Sequence, residues 1–176
     1  MFTRNWYKAL TSIATYTSGK DTYTAVNGET TNFIAANTYY LQYGRDVDSM
    51  QCPSMYRMRT GYSSGGVILG TGNTPPTIDD CKLSGDLITG YIYSVTVAHD
   101  IDEYGATSTA LYTITNTSSK TITIGEIGLM AVLSSGGANA QSQALVERTV
   151  LDVPLTIEPG GVGQLTYTIR FNYPTS

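Results

Sequence analysis

Side chains able to do chemistry are sparse in this sequence of 176 residues. The single histidine, His99, opens the run "HDIDEYG" (99–105), where Asp100, Asp102 and Glu103 precede Gly105. Two cysteines, Cys52 and Cys81, stand apart from it, and one carboxylate, Glu126, interrupts the apolar stretch "TITIGEIGLMAVL" (121–133). Nucleophilic catalysis needs a hydroxyl or thiol beside a base that a third group orients. His99 is the only imidazole for that task, and Asp100 and Asp102 lie too near it in sequence to orient it naturally, so it reads as a half-exposed residue beside a turn. Asp100, Asp102 and Glu103 have two readings. A hard cation such as calcium takes several carboxylate oxygens around a tight turn, but the full pattern of roughly twelve residues is absent, and the alternative is a solvated hairpin turn. A tetrahedral zinc site lacks ligands, since no C-x-x-C spacing accompanies the one histidine. Cys52 and Cys81 allow one disulfide, or remain two small buried thiols as a reducing compartment favours. In "TGNTPPTIDD" (71–80) no lysine follows the glycines, so a phosphate-cradling loop is not expected. Pro75 and Pro76 make that segment an extended connection poor in hydrogen bonds. "NTS" (116–118) matches a glycosylation acceptor, a pattern too common to carry weight. No metal, no cofactor and no enzymatic activity are expected.

Glu126 poses a structural question. In 121–133 the apolar positions run Ile122, Ile124, then Ile127, Leu129, Ala131 and Leu133, so the apolar parity switches at Gly125-Glu126. A regular strand keeps its parity, and the expected device is a β-bulge with Gly125 in an unusual conformation, which re-aims Glu126. A partly buried carboxylate needs a partner. Arg148, embedded in "ALVERTVLDVPLTI" (144–157), is the nearest suitable one, because a planar guanidinium can meet a carboxylate with two bonds. A structural Glu126–Arg148 pair joining two neighbouring strands is therefore expected.

The elements that position these groups are strands. "YIYSVTVA" (91–98) sets Tyr91, Tyr93, Val95 and Val97 on one face. "STALYTITN" (108–116) does the same with Ala110, Tyr112 and Ile114, and "QLTYTIRF" (164–171) with Leu165, Tyr167, Ile169 and Phe171. Turn chemistry separates them in "DEYGA" (102–106), "NTSSK" (116–120), "SSGGAN" (134–139) and "EPGG" (158–161). Strands at this spacing predict an all-β fold, an antiparallel Ig-like or jelly-roll-type β-sandwich. "RNWYKALTSIAT" (4–15) is the one helical pattern, with Trp6, Leu10 and Ile13 three to four apart. The texture of the first sixty residues, rich in Tyr, Met and Arg without alternation, predicts an irregular, partly helical N-terminal arm over 1–60 and a sandwich domain over 61–176.

Composition narrows the partners. Charged residues make up 14% of the chain, against roughly 25% in soluble domains generally, and 14 tyrosines accompany many threonines and glycines. Such a surface is buried against neighbours at low desolvation cost, and tyrosine suits interfaces. The net charge of −4, with only 10 scattered basic residues, gives no footprint for nucleic acid. No apolar run approaches the eighteen or so residues of a membrane span, and "MFTRNWYKAL" lacks the apolar core of a secretory signal, so synthesis in a cytoplasm is expected.

The succession "GVILGTGNTPPTIDDCKL" (66–83), "TITNTSSKTITIGEIGL" (113–129), "LVERTVLDVPLTIEPGG" (145–161) and "LTYTIRF" (165–171) resembles small β-sandwich structural proteins of tailed bacteriophage virions. There a G-T-G-x-x-x-P segment precedes an E-x-G-L strand, an Arg-bearing strand and a P-G turn leading into a T-Y-T-I-x-F strand. The resemblance covers about 66–171 and leaves the first sixty residues outside it. It implies a non-enzymatic virion component, repeated on the head as decoration or cement or placed in the tail or neck, made in the host bacterial cytoplasm. Its partners would be other copies of itself and other virion proteins. It implies framework positions at Gly70, Gly72, Glu126, Gly128, Arg148, Pro159 and Gly160, with Gly70, Gly72, Gly125, Gly128, Pro159 and Gly160 expected in framework turns. A carbohydrate- or receptor-binding module of a phage fibre is the competing expectation, since tyrosine-rich loops can stack on sugars.

Overall fold

A computed structural model describes residues 1–8, 22–32, 55, 58–60, 65–134 and 141–172. The described chain is mostly β, in nine strands: β1 Thr22–Thr24, β2 Thr30–Asn32, β3 Met58–Arg59, β4 Gly66–Gly70, β5 Tyr91–Asp102, β6 Gly105–Asn116, β7 Ile122–Ser134, β8 Gln141–Ile157 and β9 Val162–Asn172. They form a two-stranded sheet β1-β2, a four-stranded sheet β3-β4-β7-β8 and a three-stranded sheet β5-β6-β9. Two compact units emerge, Met1–Ile88 with Ile124–Pro154, and Thr89–Thr123 with Leu155–Ser176. They are interleaved in sequence, so β7 and β8 each give residues to both.

In the first unit β4 is buried along its whole length, as its uninterrupted "GVILG" suits. It pairs antiparallel with β7 one residue for one, from Gly66 opposite Met130 to Gly70 opposite Glu126. β3 joins the other side of β4 in parallel, with Met58 opposite Val67, a departure from the all-antiparallel expectation. Ile68, Leu83, Met130 and Leu145 form a core cluster against which Val26 and Leu87 pack.

The unusual conformation expected of Gly125 in a bulge is not found, since Gly125 is not among the glycines of positive φ, and on the β4 side no residue is inserted from Glu126 onward. Burial accounts for the parity switch. Ile122 and Ile124 are buried with Thr123 exposed between them, whereas every residue from Ile124 to Ala131 is buried. The strand passes from one covered face to two, and a doubly covered strand loses alternation without an inserted residue. Gly70, Gly125 and Gly128 are likewise strand positions and not turns, while Gly72 lies in the loop after β4. Pro159 and Gly160 do form the turn between β8 and β9, with Gly160 at φ 73°.

The described part of the N-terminal segment is bonded to β8. Residues 1–3 lie along it, with Thr3 N donating to Val146 O at 3.0 Å, Arg148 N donating to Met1 O at 3.0 Å and Phe2 bridged to Glu147. A helix spans 4–8, on which Trp6 stacks against Phe2 at 5.3 Å. Buried Asn5 holds Thr24 at both backbone groups, donating to its carbonyl at 2.7 Å and accepting from its N–H at 2.9 Å. Leu10 and Ile13 of the expected helix, the "SSGGAN" turn beyond Ser134 and Cys52 lie outside the described residues. Cys81 is a free, half-buried thiol.

In the second unit β5, β6 and β9 pair antiparallel over their full lengths. Alternation reads through: Ala110, Tyr112 and Ile114 are fully buried, and Leu165, Tyr167 and Ile169 nearly so, while the intervening threonines lie outside. Each fully buried side chain of this size contributes roughly 1.5–3 kcal/mol. Burial raises the Tyr91 hydroxyl to about 12, with the Tyr93 hydroxyl adding to it.

Asn116 is the polar lock of this unit. It is fully buried, and its amide donates to Lys120 O at 2.8 Å and Ile157 O at 2.9 Å while its side-chain oxygen accepts from Ser118 N and Oγ. Those bonds fix the turn after β6 to the end of β8. The "NTS" acceptor is thus closed to modification in the folded chain. Asn116→Ala takes the amide donor from the buried Ile157 carbonyl and frees the Ser118 turn, and is expected to cost about 2–3 kcal/mol, read as a lowered denaturant midpoint at unchanged slope.

Candidate functional site

Glu126 sits on β7 opposite Gly70, with none of its surface exposed. A carboxylate there needs its charge and its lone pairs met by the protein. The connection after β4 supplies donors for the lone pairs, and Arg148 on β8 supplies the counter-charge. Glu126 Oε1 accepts from Gly85 N at 2.7 Å and Gly72 N at 3.1 Å. Oε2 accepts from Ser84 N at 3.2 Å, Ser84 Oγ at 3.3 Å and Arg148 Nε at 2.6 Å.

The guanidinium of Arg148, on β8 and equally buried, is shared among four partners. Nη1 donates to Asp80 Oδ2 at 2.7 Å, and Nη2 donates to Thr74 O at 2.7 Å and Ser84 Oγ at 2.6 Å. Asp80 is oriented in turn by Thr77, whose N–H and hydroxyl reach its two oxygens at 2.9 and 2.8 Å. The segment "TGNTPPTIDD" is therefore no idle connection. It wraps the guanidinium and carries its second carboxylate.

Such approach of backbone to carboxylate requires glycine. A Cβ on Gly72 would fall 2.2 Å from Glu126 Oε1, and one on Gly70 would fall 2.8 Å from the same oxygen. A Cβ on Gly125 would lie 2.5 Å from Gly72 O, and one on Gly85 would lie 2.3 Å from Gly72 N. Four glycines thus let three chain segments close around one side chain. Thr71 and residues 82–87 also line a surface depression of about 470 Å³ beside the cluster.

Burial by itself would raise the Glu126 carboxyl, but the Gly85 amide, the Arg148 guanidinium and the Ser84 amide outweigh it and hold the group below its ordinary value of 4.5. Asp80 is lowered in the same way, burial being outweighed by the Thr77 amide and Arg148. Depressed carboxyls stabilise the fold fully above their unfolded values, and the contribution is lost as pH falls through the folded ones. Stability is therefore expected to hold from neutral pH down to about 4.5 and then to fall steeply, with a shallower fall in Glu126→Gln. Denaturant melts across that range check it.

The other candidates lie elsewhere. Asp102 closes the β5–β6 hairpin, its Oδ1 accepting from Tyr104 N and Gly105 N at 2.8 Å, and both of its oxygens stand 3.1 Å from Arg170 Nη2. Asp100 and Glu103 flank it, exposed. Among the described residues no group of three or more His, Cys, Asp or Glu is arranged to hold a metal ion. That is the hairpin reading of "HDIDEYG". His99 is exposed, with Nδ1 2.9 Å from the cross-strand Ser108 Oγ. Sequence reasoning missed Asp80, Ser84 and Gly85, which lie in "DDCKLSGD" (79–86) after the proline pair.

Chemically this cluster is closed. None of its buried side-chain polar atoms lacks a partner, and its bonds hold strands and loops in place. No family model, no curated protein and no solved structure matches the chain.

Proposed function

We propose that this chain is a non-enzymatic structural subunit of a tailed bacteriophage virion, an Ig-like or jelly-roll-type sandwich repeated on the head or in the tail or neck. The observation that carries the reading is the closed Glu126–Arg148–Asp80 cluster, which falls on the E-x-G-L strand, the Arg-bearing strand and the stretch 66–83 that holds the G-T-G-x-x-x-P segment of the sequence resemblance. A buried ionic network rigidifies a frame and specifies one packing of its loops. That suits a subunit whose role is to keep its place among copies of itself and other virion proteins. A tagged chain located on intact particles by electron microscopy tests it. Symmetric repeated positions on the head, tail or neck are expected, and particles that lack the tag overturn it.

A second reading has one observation in its favour. Tyr104 and Phe171 are both well exposed at the hairpin end of the β5–β6–β9 sheet, with Phe171 opposite Ala106. Exposed rings at one end of a sheet are what a carbohydrate- or receptor-binding module of a fibre would use. Tag at fibre tips, together with glycan binding lost in Tyr104→Ala, would favour it.

A further inference from the structure

We infer that the outer edge of β5 pairs antiparallel with the same edge of a second copy, joining two three-stranded sheets into one of six strands. The inference deepens the proposed self-assembling subunit by naming the surface and its occupant.

β5 ends the order β5-β6-β9, and among the described residues no strand flanks its other side. Asp102 and Gly105 bracket a two-residue turn, so the even-numbered residues of β5 exchange bonds with β6 and the odd-numbered ones present N–H and C=O outward. Tyr93, Val95, Val97 and Ile101 are among these. A long edge of this kind templates another strand unless charge, proline, a bulge or a covering segment guards it. β8 is covered by residues 1–3 of its own chain, and β9 carries Arg170. From 91 to 98 β5 carries no charge, proline or glycine.

Register and orientation follow from the same residues. The only carboxylates of β5, Asp100 and Asp102, would meet their own counterparts in a parallel in-register pair and avoid them in an antiparallel one. Outward groups belong to odd residues, and odd side chains share the inner face, so odd must pair with odd. Pairing about Val97 sets Ile101, 74% exposed, against the half-buried Tyr93 of the second copy, and brings the two Val97 residues together. A shift that places Ile101 against Tyr91 gains less, because Tyr91 is already buried. On the outer face the chosen register sets Ser94 opposite Asp100 and Thr96 opposite Ala98. The contact is isologous and closes as a dimer.

Sedimentation equilibrium of the full chain over a concentration series tests this. A dimer is expected for the wild type. Val97→Pro removes only an outward N–H and is expected to give a monomer with an unchanged far-UV spectrum. Ser94→Asp places like charges opposite each other twice per dimer and is expected to weaken association about tenfold, whereas Ser94→Lys does not weaken it. Both Ser94 substitutions are on an exposed position and decide the matter even if the proline variant fails to fold. Equal association by Ser94→Asp and Ser94→Lys overturns the proposal. A Val97→Pro dimer as tight as wild type overturns the edge and leaves self-assembly standing. A monomeric wild type also overturns the proposal, and the virion reading is then decided on the particle alone.

Discussion

Arg148→Met is expected to destabilise the protein by about 3–5 kcal/mol, the cost of removing one partner from a buried ionic cluster. Methionine fills much of the volume of the arginine stem, so the loss is electrostatic more than steric. Glu126 keeps its amide donors from Gly72, Ser84 and Gly85 but loses its ion pair, the guanidinium at 2.6 Å. Asp80 loses the same charge at 2.7 Å, and Thr74 O loses its donor. Against a total stability of about 5–15 kcal/mol, that is a large fraction. Glu126→Gln should cost less, because its side-chain oxygen still accepts from two amides while only the NH₂ end meets donors. Denaturant midpoints at neutral pH measure both. An Arg148→Met variant within about 1 kcal/mol of wild type would mean that the three amides alone satisfy Glu126.

The contact between Glu126 and Arg148 was legible because Glu126 is a lone charge in an apolar strand pattern and Arg148 is the one basic residue of another, only 22 residues away. The rest of the cluster was not. Asp80 is 68 residues from Arg148, and Gly85 is 41 from Glu126. Nothing local marks a loop aspartate as a second counter-charge, or a loop glycine as an amide donor. Parity at 121–133 shows the same limit in another form. The switch was real, but periodicity records only that alternation has stopped. It does not distinguish an inserted residue from a strand covered on both faces.

β5, β6 and β9 were the easiest elements to read, because each buries one face and leaves threonines on the other. Even there, Phe171 continued the apolar parity of β9 yet is 45% exposed, since alternation carries on past the end of the core it serves. The short parallel pairing of β3 with β4 left no trace at all, two residues being too few to carry a period. Asn116 was read only as a turn residue, and its bond to Ile157 O, 41 residues away, is what makes it a core residue.

Gly72→Ala is the second substitution expected to have a large effect, on the order of 3 kcal/mol, from overpacking added to weakened charge-assisted hydrogen bonds. The added methyl would lie 2.0 Å from Ser84 Oγ, 2.2 Å from Glu126 Oε1 and 2.6 Å from Gly85 N. Two of those atoms end side chains pinned by the cluster, and the third is backbone, so no cheap movement relieves the clash. Gly160→Ala provides the contrast. Gly160 has φ 73° and nothing within 4 Å of an added Cβ, so its substitution costs only the strained conformation, about 1–2 kcal/mol. If the glycine at 72 exists to admit the carboxylate, its cost must depend on that carboxylate. In a Glu126→Ala background the contact with Oε1 is gone while those with Ser84 Oγ and Gly85 N persist, so Gly72→Ala is expected to lose the part of its cost that Glu126 sets. The double-mutant cycle then shows a coupling of about 1–3 kcal/mol. Additive costs would mean instead that Gly72 is required by the loop's own path and that Glu126 merely profits from an amide already in place.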